Sequence, residues 1–238
     1  MVCFIMTRPV CNSRMSTAPA TTPKNLKRPM NKLFIIGLPR TGTTSISAAL
    51  LEHQLKVAHT AFTKHAFELA DVISDAPCFS DYRQLDELFP GSKFVYLDRA
   101  LKDWVPSMQM LLTKMGTKLD KEHGSFHPVL KRSFDMAFDL YQVENPSDEK
   151  HLRHCYQTHQ KSVYDHFAER DNLITINLND ADSFDRLLTF IGLDANGRGN
   201  FPKLNVGTRV SSWQSLKHPN KINSFSAGKE HRKFFDYL

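Results

Sequence analysis

The chain has 238 residues, of which 41% are hydrophobic and 24% charged, a composition typical of a globular protein with one domain. No apolar run approaches the roughly 20 residues that cross a bilayer, so no membrane span is expected. The formal charge of +6 comes mainly from the N-terminus, because residues 1–31 hold five basic and no acidic side chains while residues 32–238 carry a net +1. This distribution argues against a nucleic-acid-binding domain.

The segment 1–31 is predicted to be a disordered basic tail, because it is rich in Ser, Thr, Pro and Ala and has little apolar surface to bury. Its apolar stretch VCFIM is too short for the core of a signal peptide. The four cysteines are far apart and form no CxxC pair, which argues against a disulfide framework or a zinc ribbon and favours a reducing compartment. We therefore predict a cytoplasmic protein whose folded domain covers residues 32–238.

From residue 32 onward, short apolar segments alternate with amphipathic ones. LFIIG at 33–37 is typical of a strand that is buried on both faces of a parallel sheet. The predicted strands cover 33–37, 56–59, 93–98 and 173–178, and the predicted helices cover 43–53, 81–89, 101–115, 146–169 and 183–191. Asn145 and Pro146 are the expected cap and first turn of the longest helix. The alternation predicts an α/β fold of three layers, with a central parallel sheet flanked by helices and ligands at the carboxyl ends of the strands.

The most informative stretch is GLPRTGTTS, from Gly37 to Ser45, between the first predicted strand and its helix. Glycines in such a loop let the chain turn and approach an anion, and the backbone N–H groups at a helix start attract negative charge. A Walker A loop has lysine where this chain has Thr43, which argues against ordinary hydrolysis of ATP or GTP. A cation is present three residues earlier, at Arg40. The loop therefore predicts a phosphate site that lacks the usual lysine.

The sequence PRTGTT resembles the 5′-phosphosulfate-binding loop of sulfotransferases that use 3′-phosphoadenosine 5′-phosphosulfate (PAPS). The resemblance implies a P-loop-like α/β fold, transfer of the sulfonate to a hydroxyl or amine acceptor, release of adenosine 3′,5′-bisphosphate (PAP), and no metal. FPKLN at 201–205 is similar to a late element of some bacterial members. The loop residues implied to bind the donor are Pro39, Arg40, Thr41, Gly42, Thr43, Thr44 and Ser45.

A second motif supports the resemblance. In this family a strand ends in an arginine that is followed eight positions later by a serine, and both bind the 3′-phosphate. KFVYLDRALKDWVPS places Arg99 and Ser107 in these positions, with a surface Arg99 paired to Asp103 as the alternative. Ser45 departs from the aromatic residue of the cytosolic steroid and phenol enzymes, and their glycine-rich C-terminal lid is absent. The unranked candidates for closing over the 3′-phosphate are Arg209, Lys217, Lys229, Arg232 and Lys233.

His59 is the predicted general base, acting beside Arg40, which would stabilise charge on the leaving phosphate. It ends the second predicted strand, 19 positions after Arg40, where related enzymes carry a His or Glu. An unperturbed imidazole titrates near pH 6.5, roughly where a base for neutral pH should. His65 and Asp75 are the alternative bases, and Asp75 could instead cap a turn. The alternative for His59 is a structural histidine at a strand end.

The long predicted helix carries further possible metal ligands, His151, His154, Cys155 and His159. Pairs at i and i+4 could ligate zinc, but no carboxylate or cysteine at a suitable spacing completes a site, so no metal is predicted. His123 and His127 are expected in a solvated loop.

Two other functions stay open at the level of sequence. One is a P-loop nucleotide kinase or NTPase, in which Asp98 at the end of KFVYLD would hold magnesium. The other is a non-catalytic nucleotide-binding module. The acceptor of a sulfotransferase also stays open, among a small molecule, a sugar, a lipid, an amine and a peptide, and no nucleic-acid partner is expected.

Overall fold

Five short strands form the central sheet of the computed structural model, which describes residues 31–195, 197, 199–201 and 213–227. They are β1 (Leu33–Ile35), β2 (Val57–Ala58), β3 (Val72–Ser74), β4 (Lys93–Leu97) and β5 (Leu173–Ile176). Their order is β2-β3-β1-β4-β5, and every neighbouring pair is parallel. The predicted α/β architecture with a parallel sheet is confirmed.

Seven helices follow or connect the strands within the described ranges. They are α1 (Thr43–Leu51), α2 (Lys64–Leu69), α3 (Cys78–Leu88), α4 (Leu101–Leu119), α5 (Pro128–Phe138), α6 (Glu149–His166) and α7 (Ser183–Ile191). None of these helices combines the length and the apolar character needed to cross a membrane.

Helices cover both faces of the sheet, because alternate residues of β1 point to opposite sides. Leu33 and Ile35 pack with α1 and α7 in one core cluster, whereas Phe34 packs with α2, α3 and α6 in another. All three side chains are almost fully buried. Beyond the sheet, α4, α5 and α6 enclose a third apolar cluster around Trp104.

Several elements differ from the sequence prediction. The strand β3 and the helices α2 and α5 were not predicted, and α4 continues to Leu119. The long helix begins at Glu149, and its cap is Asp148, whose side chain accepts a hydrogen bond from the His151 N–H, so the predicted cap at Asn145 is wrong. His127 is not in a solvated loop, since its Nδ1 accepts from the Val129 N–H at the start of α5 and its ring stacks on Phe62.

The segment 213–227 lies against β2, the outer strand of the sheet on its side. The Val57 N–H donates to the carbonyl of Asn220, and the Ile222 N–H donates to the carbonyl of Val57. Several predictions fall on residues that the structure does not describe. They are residues 1–30 of the predicted tail over 1–31, residues 202–205 of the element at 201–205, and Arg209, Lys229, Arg232 and Lys233.

Candidate active site

The carboxyl ends of the strands meet at one edge of the sheet, as parallel strands require. A cleft of about 480 Å³ lies there. It is lined by the loop residues 39–45, by Asp75 after β3, by Asp98 and Arg99 after β4, by Leu111 of α4, and by residues 177–179 after β5. Every predicted donor-binding residue of the loop therefore borders this cleft.

Two glycines fix the path of the loop because neither position has room for a side chain. A Cβ atom at Gly37 would lie 2.5 Å from the Leu97 Cβ. Gly42 has a φ of 115°, and a Cβ atom there would lie 2.2 Å from Leu178 Cδ1. The Thr41 hydroxyl also donates to the Leu38 carbonyl at 2.7 Å. The loop is thus held closely against β4 and the segment after β5.

The start of α1 is open to an anion. Gly42 occupies the cap position, and within the part of the chain that the structure describes no side chain caps the first N–H groups of this helix. Unpaired N–H groups and the positive end of the helix dipole favour a negatively charged ligand at such a position. Thr43 and Thr44 therefore present their N–H groups where a phosphate or sulfonate group can be bound.

The two nucleotide motifs contact each other directly. Arg40 Nε donates to Ser107 Oγ at 2.8 Å, and Arg99 Nη1 donates to the Arg40 carbonyl oxygen at 2.7 Å. Burial and the neighbouring Arg99 cation lower the pKa of Arg40, although an arginine stays charged at neutral pH. Two guanidinium groups held close together in one cleft repel each other, so a bound anion with several charges would relieve this repulsion.

The turn that carries Arg99 is held by residues that the sequence reasoning did not select for this role. The Tyr156 hydroxyl donates to Asp98 Oδ1 at 2.7 Å and accepts from the Arg99 N–H at 2.9 Å. Gln160 Nε2 also donates to Asp98. Trp104 Nε1 donates to the Pro39 carbonyl at 2.8 Å and so ties α4 to the loop. These contacts cross long stretches of sequence, and no local motif indicates them.

His59 and Asp75 meet on the opposite side of the loop. His59 Nε2 lies 2.7 Å from Thr44 Oγ1, and His59 Nδ1 lies 3.7 Å from Asp75 Oδ2. The same carboxylate oxygen accepts from the Thr43 hydroxyl at 3.3 Å, and Asp75 Oδ1 accepts from the Ala76 N–H. Asp75 therefore orders its own turn and also faces the imidazole, while its predicted role as an alternative base stays a prediction.

The surroundings of this pair are only partly open to water. His59 is 8% exposed, and the ring of Trp213 contacts it edge-on at a centroid distance of 5.3 Å. Burial raises the pKa of Asp75, although the nearby imidazole and the hydrogen bonds of the carboxylate act against that shift. A carboxyl group whose charged form is disfavoured, next to an imidazole, is an arrangement suited to proton transfer.

The other predicted residues occupy different places. His65 lies on α2 with its Nδ1 3.3 Å from Glu68 Oε2, so it is paired away from the cleft lining. Asp98 is already engaged by Tyr156 and Gln160, which leaves it poorly suited to hold magnesium. Lys217 is exposed and does not line the cleft.

Comparison with known protein families assigns the chain to one of them. The model of the sulfotransferase domain family matches residues 60–210, which is more than half of the sequence. The chain therefore belongs to this family and is a transferase of the sulfotransferase type, as the loop resemblance indicated. No curated protein matches the sequence at a significant level. The phosphate loop and His59 precede the matched range, so their roles depend on the geometry of the cleft.

Proposed function

We propose that this sulfotransferase takes the sulfonate group from PAPS and transfers it to a hydroxyl or amine acceptor. The observation that carries the proposal is the contact between the two motifs, in which Arg40 Nε donates to Ser107 Oγ while Arg99 donates to the Arg40 backbone. One cleft thereby combines an open helix start with two arginines, and Arg40 connects it to the buried Ser107. These positively charged and hydrogen-bonding groups suit a nucleotide that carries a negatively charged group at both the 3′ and the 5′ position of its ribose.

PAPS, the sulfonate donor, would be bound by both motifs. The loop residues Pro39 to Ser45 and the first N–H groups of α1 would bind the 5′-phosphosulfate. Arg99 and Ser107 would bind the 3′-phosphate through charge-assisted hydrogen bonds. PAPS supplies an activated sulfonate, and the protein supplies its position.

Sulfonyl transfer resembles phosphoryl transfer in its loose in-line transition state, so the protein contributes mainly alignment and charge stabilisation. Arg40 and the N–H groups of Thr43 and Thr44 stand where negative charge grows on the leaving phosphate. Hydrogen-bond donors that are already fixed at such a position stabilise the transition state more than the ground state.

His59 would take the proton of the acceptor. Its Nε2 lies 2.7 Å from the hydroxyl of Thr44, a residue of the donor loop, so the proton of an acceptor next to the sulfonate would reach the imidazole through this hydroxyl or by displacing it. Asp75, facing Nδ1, would stabilise the imidazolium that results. This mechanism gives no role to a metal ion, and the kinase alternative gains no support from Asp98.

Calorimetric titration of the full chain with PAP, 5′-AMP and ATP, with and without magnesium, tests the proposal. We expect PAP to bind at least tenfold more tightly than 5′-AMP and without magnesium, a difference of about 1.4 kcal/mol. Preference for ATP with magnesium would overturn the donor assignment. Arg153 lies on α6, where it pairs with Glu149 outside the cleft lining, and the control variant Arg153→Ala should have unchanged affinities.

Three narrower assignments stay predictions. They are the cytoplasmic location, the division into a tail over 1–31 and a domain over 32–238, and the acceptor class, whether a small molecule, a sugar or a lipid. A screen of acceptors with PAPS as donor addresses the last of them.

A further inference from the structure

Three metal-ligand side chains meet outside the cleft, where the end of α5 approaches the first turns of α6. They are Asp139, His151 and Cys155, and one ligand atom from each lies within 4.8 Å of the others. The sequence indicated His151 and Cys155 as a possible pair of ligands at i and i+4, but it indicated no carboxylate near them. The fold supplies it, because α5 ends at Phe138 and Asp139 follows as its cap.

The separations suit one coordinated ion. His151 Nε2 lies 3.3 Å from Cys155 Sγ. Zinc bonds of about 2.0 Å to nitrogen and about 2.3 Å to sulfur, at tetrahedral angles, place these two atoms roughly 3.5 Å apart. Asp139 has a φ of 49°, a left-handed conformation that is uncommon for a residue other than glycine, and it sets the carboxylate beside the pair.

We propose that Asp139, His151 and Cys155 form a binding site for Zn²⁺ or a chemically similar divalent transition-metal ion. A set of one thiolate, one imidazole and one carboxylate favours zinc and cobalt over magnesium and calcium, which prefer oxygen ligands. The fourth position is taken by water or by the carbonyl oxygen of Phe138, which lies 2.9 Å from His151 Nε2.

The site has a route from solvent. A cavity of about 330 Å³ is lined by Asp139 and Cys155 together with the exposed His154. Coordination replaces the proton of the Cys155 thiol, which passes to solvent. The neutral imidazole donates from Nε2 to the Phe138 carbonyl without the ion, so its single proton would move to Nδ1 when Nε2 binds the ion. The ion would tie the end of α5 to α6. This role is structural and is independent of the proposed donor and acceptor.

Cobalt is the probe for this site, because tetrahedral Co²⁺ bound to a thiolate has visible bands and a charge-transfer band. The full chain, freed of metal with a chelator, is titrated with Co²⁺ and then with Zn²⁺, which should displace it. We expect one ion per chain and an increase in the thermal unfolding temperature. Cys155→Ser should abolish the charge-transfer band, and Asp139→Asn should weaken Co²⁺ binding by more than about a hundredfold, the upper range for residues that only support a ligand.

Two variants serve as matched controls and should bind cobalt like the parent chain. Cys78→Ser removes the other buried cysteine of the described residues, and His154→Gln removes the neighbouring histidine of α6. Asp139 is exposed, so its substitution should leave the fold intact, as circular dichroism would verify. Absence of cobalt binding by the parent chain, or a charge-transfer band that survives Cys155→Ser, would overturn the proposal.

Discussion

The two sides of the cleft differ in the chemistry that they present. The side formed after β1 and β4 is basic and carries Arg40, Arg99 and Ser107, which are hydrogen-bonded to one another or to the loop backbone. The side formed after β2 and β3 carries Asp75, which lines the cleft, and the buried His59, whose Nδ1 lies 3.7 Å from Asp75 Oδ2. The phosphate loop runs between them. Under the proposed function, donor binding and acceptor activation would therefore come from opposite halves of one sheet.

The two sides also differ in how their residues are fixed. On the basic side, the Pro39 and Arg40 carbonyls receive hydrogen bonds from Trp104 and Arg99, so backbone atoms set the geometry. On the side of His59 and Asp75, called here the proton-transfer side, the contacts with the loop join side chain to side chain, and Asp75 also accepts from the Ala76 N–H of its own turn. Substitutions on the basic side should therefore change nucleotide affinity or charge stabilisation, and those on the other side should change turnover and its pH dependence.

The largest effect is expected for His59→Ala. Loss of a general base should lower kcat by about a thousandfold. The affinity for PAP should change far less, because the imidazole contacts the hydroxyl of Thr44 and not the N–H groups that are proposed to bind the phosphate. Single-turnover kinetics with calorimetry of PAP measure both quantities. His65→Ala, which removes the paired histidine of α2, should behave like the parent protein. A large loss of PAP affinity in His59→Ala would contradict the separation of roles between the two sides of the cleft.

Arg40→Ala should lower kcat by about a hundredfold, since one fixed donor to the developing negative charge is lost. Its effect on PAP affinity should be smaller, because the charge on the leaving phosphate grows only in the transition state. Steady-state kinetics and PAP titration separate the two effects. If affinity falls as much as kcat/KM while kcat is unchanged, Arg40 serves in binding alone.

Arg99→Ala should weaken PAP binding by about thirtyfold, the value of a lost charge-assisted hydrogen bond. Binding of 5′-AMP should change little, because this nucleotide lacks the 3′-phosphate that Arg99 is proposed to hold. The ratio of the two dissociation constants is the measurement. An equal loss for both nucleotides would instead assign Arg99 to the loop conformation, through its bond to the Arg40 carbonyl.

Asp75→Asn should lower kcat at neutral pH by about tenfold, because an imidazolium at His59 loses its facing carboxylate. Burial raises the pKa of Asp75, so the parent carboxylate becomes protonated on acidification at a higher pH than an exposed aspartate would. The ratio of kcat between parent and variant should therefore approach one as the pH falls through that pKa. Asp165→Asn on the surface of α6 is the control, and a ratio that is constant with pH would exclude a role for the charge.

The smallest effect is expected for Tyr156→Phe, which removes the hydroxyl that holds the turn of Asp98 and Arg99. Affinity for PAP should fall about threefold, as for the loss of neutral hydrogen bonds, while kcat stays unchanged. Tyr164→Phe, whose hydroxyl contacts Thr175 at the surface, is the matched control. Equal weakening of PAP and 5′-AMP would indicate a general loosening of the site rather than a role in placing Arg99.

The basic side was accessible to sequence reasoning because its signals are local. The loop is one contiguous stretch, and Arg99 and Ser107 are separated by two turns of one helix. The long-range support from Tyr156 and Trp104 has no such signal, since their partners lie 57 or more residues away. Residue types and spacing thus predict which groups would bind the donor, and only the fold reveals what holds these groups in position.

The proton-transfer side was harder to predict. Asp75 follows β3, a strand of only three residues, which is too short to produce a recognisable period. Its pairing with His59 depends on β2 and β3 lying side by side, which the sequence does not encode locally. The carboxylate of Asp139 beside His151 and Cys155 was also not predicted, because it follows α5, a helix that the sequence analysis did not predict.

The contact between the segment 213–227 and β2 has a consequence for association between chains. The N–H and carbonyl groups of Val57 are hydrogen-bonded to Asn220 and Ile222, so the outer strand offers no free pair to another molecule at that residue. A chain shortened before Trp213 would leave these groups unpaired on an apolar strand, the feature that allows sheets of separate molecules to join edge to edge. Such a chain should aggregate as it folds, and it would also lose the indole ring that packs on His59.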